Sequence, residues 1–399
     1  MLDPIGNPYA PGAGTPPPEL AGRSDLLEKV RIALERTRRG LPTKSLMMVG
    51  LRGVGKTVLL DRMRDEAEGM GIQTLRVEAP EKRSLPGLLA PELRQALLRL
   101  SRNEKARDLA QRALKALAGF AKALKVKYDD IEVGFDFDPE PGLADNGDLA
   151  WDLQALIEAA GIAAQKAESA LALFVDELQY VAEDELAALI TALHRAAQRK
   201  LPVILVGAGL PQLIGRAGRA KSYAERLFEF PNVGALDDQA SRAAIAKPAE
   251  AQGAQVNPDA LERIIRETQG YPYFLQEWGK HAWDAATASP ITLADVQKAS
   301  VTAIAALDES FFRIRFDRLT PLERRYLRAM AELGAGPHRS GDIAGELKRD
   351  VTSLAPTRGQ LMAKGMVSSP SHGDTAFTVP LFHEFMRRIM PGDDWRRPS

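Results

Sequence analysis

Residues 45–57 read Ser45-Leu46-Met47-Met48-Val49-Gly50-Leu51-Arg52-Gly53-Val54-Gly55-Lys56-Thr57, a short apolar run that ends in G-x-x-x-x-G-K-T. A helix-competent segment beginning Val58-Leu59-Leu60 follows, so the pattern sits between a strand and a helix, the setting a phosphate-gripping loop needs. The residue types carry the chemistry. Gly50, Gly53 and Gly55 let the backbone curl, with positive φ where required, until consecutive N–H groups face a phosphate chain. Lys56 adds a positive charge for β- and γ-phosphates, and the Thr57 hydroxyl is a ligand for Mg2+. The helix that starts here adds the positive end of its dipole. Gly50, Arg52, Gly53, Val54, Gly55, Lys56, Thr57 and Val58 are therefore the expected contacts to ATP.

A loop of this kind needs acids that hold the metal and activate water. The run Leu171-Ala172-Leu173-Phe174-Val175-Asp176-Glu177 is apolar until it ends in two carboxylates. Asp176 is expected to hold Mg2+, directly or through water. Glu177, one residue on, stands where a general base would polarise the attacking water. Paired acids also end strands in solvated turns, and the full phosphate loop upstream selects the catalytic reading. Gln179 could touch the same water but reads first as a surface or supporting residue.

These residues need a scaffold, and the surrounding pattern describes one. The alternating run Ile72-Gln73-Thr74-Leu75-Arg76-Val77-Glu78, the acid-tipped run, Val203-Ile204-Leu205-Val206-Gly207 and a short strand near 228–235 read as strands. Helical stretches at 26–39, 91–101, 104–125, 148–168 and 184–200 separate them, with Ser24 or Asp25 as the first N-cap. Strands alternating with helices imply an α/β fold with a parallel sheet covered on both faces. Residues 1–19, rich in Pro and Gly, read as a flexible or extended arm. The acidic, alternating stretch Tyr128-Asp129-Asp130-Ile131-Glu132-Val133-Gly134-Phe135-Asp136-Phe137 reads as an exposed hairpin or edge strand inside an insertion at 127–147. Beyond 236 helices dominate.

Bulk composition narrows the chemistry. The 399 residues carry 53 Lys and Arg against 53 Asp and Glu, so contact with nucleic acid or an anionic membrane must come from a local patch. The absence of Cys removes disulfides, thiol catalysis and Cys-based zinc sites. The five His residues show no metal-ligand spacing. No apolar run approaches membrane-spanning length and the first residues lack a leader pattern, so a cytoplasmic protein with no membrane partner is expected.

With the loop, the acid-tipped strand and the corner Gly270-Tyr271-Pro272 in this order, the chain resembles an AAA+ type P-loop ATPase of the group near origin-recognition initiators and the signal-transduction ATPases with numerous domains. The resemblance implies a sheet in the order 5-1-4-3-2 within a core at 20–235, and a helical lid at 236–305. It places Gly22 and Arg23 near the adenine and Pro272 over it, although Gly270-Tyr271-Pro272 is also a plain helix–turn–helix corner with buried rings. It assigns Arg226 as the arginine that stabilises transition-state charge on a neighbouring subunit's site, hence a homo-oligomer; the alternative is a surface salt bridge with Glu225. The sequence departs from the pattern at Gly207-Ala208-Gly209-Leu210, where related strands end in a polar sensor. Backbone groups or Gln212 substitute there, or γ-phosphate sensing is weak.

The remaining chain, 306–399, supplies helices at 320–333, 340–347 and 353–364, then two strands around a turn at 370–374, an order that resembles a winged-helix domain. Its third helix would present Thr357, Arg358, Gln360 and Lys364 to the major groove of double-stranded DNA. Over 311–399, Lys and Arg outnumber Asp and Glu by 15 to 10, only mild support, and such domains also serve as protein-interaction modules. The expectation is a Mg2+-dependent, ATP-binding ATPase that moves a lid and a winged helix, acts on DNA, or works as a slow switch that recruits a protein. A transcription regulator with ATP as effector is a third reading.

Overall fold

The computed structural model describes residues 2–12, 14–79, 83–125, 138–371 and 373–396. They form two compact units, one of Arg23–Gly50 and Gly55–Val233, the other of Met1–Gly22, Leu51–Val54 and Gly234–Ser399. The expected acidic strand at 128–137 lies outside the described residues.

The first unit contains, in chain order, α1 (Ser24–Arg38), β1 (Ser45–Val49), α2 (Lys56–Gly69), β2 (Gln73–Glu78), α3 (Leu85–Leu100), α4 (Arg107–Leu124), α5 (Leu149–Lys166), β3 (Leu171–Asp176), α6 (Glu183–Gln198), β4 (Val203–Gly209), α7 (Leu213–Ala220), α8 (Ala224–Leu227) and β5 (Phe228–Glu229). The strands are parallel in the order β2-β3-β4-β1-β5, which from the opposite edge is the expected 5-1-4-3-2. Parallel neighbours need crossover connections, and the intervening helices supply them. Every residue of β1 and β3 is buried, so both read as apolar runs, whereas β2 at the sheet edge alternates.

Two helix starts depart from the sequence reading. α1 begins with Arg23 at the N-cap position rather than Ser24 or Asp25. α3 begins at Leu85 instead of 91, because the Ser84 hydroxyl accepts from Gly87 N and Pro86 fits the first turn; Pro91 is accommodated inside the helix. α5 starts as its Asp148 cap predicts, and the buried Asp152 carboxylate accepts from Asn146 N and Gly147 N, pinning the loop before it.

The second unit continues with α9 (Asp238–Ala251), α10 (Pro258–Thr268), α11 (Pro272–Ala285), α12 (Leu293–Leu307), a π-helical turn at Asp308–Phe312, α13 (Arg313–Asp317), α14 (Pro321–Leu333), β6 (His338–Arg339), α15 (Ser340–Leu347), α16 (Val351–Ala363), β7 (Val367–Ser368), β8 (Asp374–Phe377) and α17 (Phe382–Ile389). Thr320 and Glu323 form a capping box at α14, with Pro321 in the first turn. The strands form a small antiparallel sheet in the order β6-β8-β7. α17 was not foreseen; its apolar face carries Phe382, Phe385 and Met386, and Arg387 ties it to α14 through the Ala331 carbonyl at 2.8 Å.

The N-terminal residues, with a 3-10 turn at Pro4–Gly6, are anchored by hydrogen bonds. Leu2 N bonds the Ala286 carbonyl at 3.1 Å, Trp283 Nε1 the Asp3 carbonyl at 2.9 Å, and the Tyr9 hydroxyl the Ile245 carbonyl. The Tyr9 ring lies against Gly279, where a Cβ would come within 2.6 Å of it, so α11 needs glycine there.

In α14 the Glu323 carboxylate is fully buried, and the Lys364 ammonium meets it at 2.6 Å while also donating to the Arg318 carbonyl at 3.0 Å. Burial would raise the Glu323 carboxyl, but the bonds from Lys364 and Thr320 outweigh it and hold the group below the usual carboxylate range. The pair therefore stabilises the fold above the unfolded glutamate pKa, and that stability is lost as pH falls through the lowered folded value.

Three variants test this packing. Gly279→Ala is expected to cost about 1–3 kcal/mol in denaturant unfolding and expose the arm to proteolysis. Gly218→Ala, in open space on α7, should leave stability unchanged or slightly improved. Lys364→Met is expected to cost about 1–3 kcal/mol at neutral pH by leaving a buried carboxylate unpaired, with the deficit shrinking as the acid range is entered.

Candidate nucleotide-binding site

In the first unit, β1 delivers the chain to Gly50, whose N–H bonds the Gly209 carbonyl at the end of β4 at 3.2 Å. α2 begins at Lys56, with Gly55 as N-cap at φ +90°, a conformation that glycine adopts without strain. Lys56 is buried and its ammonium turns back to the Gly50 carbonyl at 2.9 Å. Val58 lies in the first turn of the same helix.

Thr57 and Asp176, distant in sequence, are brought together: the hydroxyl donates to Asp176 Oδ2 at 2.7 Å. Asp176 is 2% exposed, and a buried carboxylate needs compensating donors. Glu177 N supplies one to Oδ1 at 2.8 Å, and Arg76 lies 3.6 Å from Oδ2 while bonding Asp61 at 2.7 Å. Arg76 was missed in the sequence; an arginine two residues from the carboxyl end of a strand in a parallel sheet is the signal. A hydroxyl and a carboxylate at one point are hard oxygen donors that suit Mg2+, with water and phosphate oxygens left to complete its shell. Among the described residues no group of three or more His, Cys, Asp or Glu is placed to hold a metal ion.

Glu177 adopts the left-handed conformation, φ 54° and ψ 36°, which a non-glycine residue holds only when its surroundings enforce it. Its carboxylate accepts a bond from Gln179 Nε2. Gln179 is 5% exposed rather than superficial, and its Oε1 accepts from Leu210 N at 3.0 Å. Arg226 is exposed on α8 and makes no ion pair among the described residues, with Glu225 or any other acid.

In the second unit, loop residues Leu51–Val54 meet the start of α11. Tyr273 N bonds the Gly53 carbonyl at 3.2 Å, and Gly53, at φ +83°, lies so near Tyr271 that a Cβ would come within 3.1 Å of its ring. Arg315 stacks over Phe311 at 3.8 Å and bonds its carbonyl. Burial, then the positive charge of Arg52, pulls the Arg315 guanidinium down to about 10. The Tyr271 hydroxyl is buried without a hydrogen-bond partner among the described residues, and burial pushes its pKa up. Pro272 occupies the first turn of α11. Gly22, at φ +67°, touches Ala240 and Leu236 closely enough to exclude a Cβ, while Arg23 belongs to the first unit.

The four residues proposed for DNA do not form a free surface. Thr357 is buried, 6% exposed. Arg358 is spent on the hairpin, bonding Thr375, Ser369 and the Asp374 carbonyl at 2.7–2.8 Å. Lys364 is committed to Glu323. Gln360 alone of the four is exposed without such a bond. Helical spacing shows which residues share a face, but not that the neighbouring hairpin and α14 carry acceptors for these cations.

Residues 19–206 match the AAA ATPase domain family, and residues 309–386 match a domain family of unknown function, DUF8462. No curated protein matches the chain. Among solved structures the chain is similar to a Walker-type ATPase of Pyrococcus abyssi, at 16% identity, covering 94% of this chain and 97% of that one with a TM-score of 0.58. The ORC1 protein of Aeropyrum pernix in complex with DNA is less alike, at 16% identity, 93% and 94% coverage and a TM-score of 0.48. The RuvB Holliday-junction branch-migration motor of Thermotoga maritima follows at 17%, 89% and 92%, and 0.43. At 16% identity the likeness to the Pyrococcus abyssi ATPase is one of fold. Sheet order, phosphate loop and acid-tipped strand agree with the domain match: the chain has a P-loop NTPase fold, and its residues 19–206 match the AAA ATPase domain family.

Proposed function

We propose that the protein binds ATP with Mg2+ and hydrolyses it slowly, using the nucleotide state to move its helical C-terminal unit. The observation that carries this reading is the 2.7 Å bond between Thr57 and Asp176, with Glu177 next in the chain. Thr57 and Asp176 would hold Mg2+, which when bound neutralises charge on the β- and γ-phosphates. Lys56 grips the same phosphates, and the N–H groups of the loop and of the α2 terminus orient them. Glu177 accepts a proton from water as its oxygen bonds the γ-phosphorus and the bond to the ADP oxygen breaks, yielding ADP and phosphate.

Loop residues 51–54 provide the route to movement, since the Gly53 carbonyl bonds Tyr273 N and a change in the loop is felt directly at the start of α11. Gly22, Arg23 and Pro272 stand as the adenine contacts in this reading. The exposed, unpaired Arg226 supports action on a neighbouring copy, and hence a homo-oligomer. The commitment of Arg358 and Lys364 to intramolecular bonds favours a second reading of the C-terminal domain, a winged helix that docks a protein rather than one that reads DNA.

Steady-state ATP turnover, measured across protein concentration with and without duplex DNA, tests the proposal. Lys56→Ala is expected to abolish nucleotide binding. Glu177→Gln should retain binding and lose at least about 100-fold in turnover. Arg226→Ala is expected to lower turnover by about 1,000-fold or more, and wild-type specific activity should rise with protein concentration. ATP binding without turnover under every condition would reject the enzyme and leave the switch.

A further inference from the structure

The end of β4 lacks the polar side chain expected beside the terminal phosphate, and the structure shows what occupies that place. The turn Leu178–Tyr180 packs directly on the β4 tip. A Cβ on Gly207 would come within 2.3 Å of Leu178 Cδ1, and one on Gly209 within 2.9 Å of Gln179 Oε1. The two glycines are therefore the space into which the turn fits, and the buried amide of Gln179 lies where a side chain from Gly209 would otherwise start.

The orientation of that amide is fixed by chemistry. A backbone N–H only donates, so the atom facing Leu210 N at 3.0 Å is the oxygen, which leaves the amide nitrogen for Glu177 Oε2. Both ends of the group are engaged. The Glu177 backbone is held as well, its N–H by Asp176 Oδ1 at 2.8 Å and its carbonyl by Tyr180 N at 2.9 Å, which keeps the residue in its left-handed conformation. With the main chain fixed, the remaining freedom of the carboxylate is its side-chain torsions, and Gln179 restricts those.

We propose that Gln179 is a positioning residue for hydrolysis: its amide aims the Glu177 carboxylate at the attacking water and links it to the backbone of β4, replacing the absent polar residue at the strand tip. This rests on the hydrolytic reading of Glu177. An angstrom of misplacement at a reacting group is enough to cost about 100-fold in rate, so one oriented amide is a sufficient device.

The test is Gln179→Met, which keeps length and burial and removes both hydrogen bonds, alongside wild type, Glu177→Gln and Gln179→Glu. The expected result for Gln179→Met is a kcat about 10- to 100-fold lower with KM within twofold of wild type. Gln179→Glu, which keeps the acceptor for Leu210 but sets a negative charge against Glu177, should lose at least as much. Each variant's melting temperature is measured with its kinetics; if Gln179→Met melts far below wild type, the kcat and KM of Gln179→Glu decide. Unchanged or raised kcat in the folded variant overturns the role of Gln179, and a kcat loss matched by an equal rise in KM does so too. An inactive wild type overturns the hydrolytic reading and this proposal together, whereas an active wild type that Glu177→Gln disables and Gln179→Met does not removes this proposal alone.

Discussion

A carboxylate buried at the bottom of a site needs hydrogen-bond donors around it, and in this chain that carboxylate is Asp176. The hydroxyl of Thr57, the guanidinium of Arg76 and the N–H of Glu177 converge on it. Each comes from a different piece of the sheet: the helix after β1, the edge strand β2 and the turn after β3. One buried carboxylate thus ties the start of α2 to the acid-bearing strand. The order β2-β3-β4-β1-β5 makes this feasible, because it brings the carboxyl ends of β3, β4 and β1 side by side. Crevices outside such strand ends are where open α/β sheets take ligands.

Close to that carboxylate, packing rather than charge decides what the site contains. Gly207 and Gly209 leave two positions at the tip of β4 without side chains, and Leu178 and Gln179 fill the volume. Glu177 is then enclosed between a fixed backbone and an oriented amide. A site assembled this tightly favours a defined geometry over rapid rearrangement.

The second unit applies the same economy to its basic residues. Arg358 braces the hairpin, Lys364 compensates a buried glutamate, Arg387 joins α17 to α14, and Arg315 stacks on Phe311 beside Tyr271. A modest positive excess in this region is therefore a structural resource before it is an electrostatic surface. The aromatic run from Tyr273 through Phe311 and Phe312 to Phe385 is continuous, so the start of α11 and the C-terminal helices are connected through stacked and edge-on rings.

Much of the core was readable because its signals are local. A tight phosphate loop requires glycines at set spacing, a buried parallel strand reads as an apolar run, and helix caps are chosen within four residues, so β1, β3, α5 and α14 were all legible. The acid pair was readable for the same reason, as two carboxylates close an apolar run. Residues 128–137 also had a pattern, though they lie outside the described residues. What folding alone decided are the contacts between residues distant in sequence: Arg76 at Asp176, Gln179 under the β4 tip, and the acceptors that claim Arg358 and Lys364. No window of sequence contains both partners of such a contact, and whether a cation is free or engaged depends on the acceptors that the fold brings within 3 Å of it.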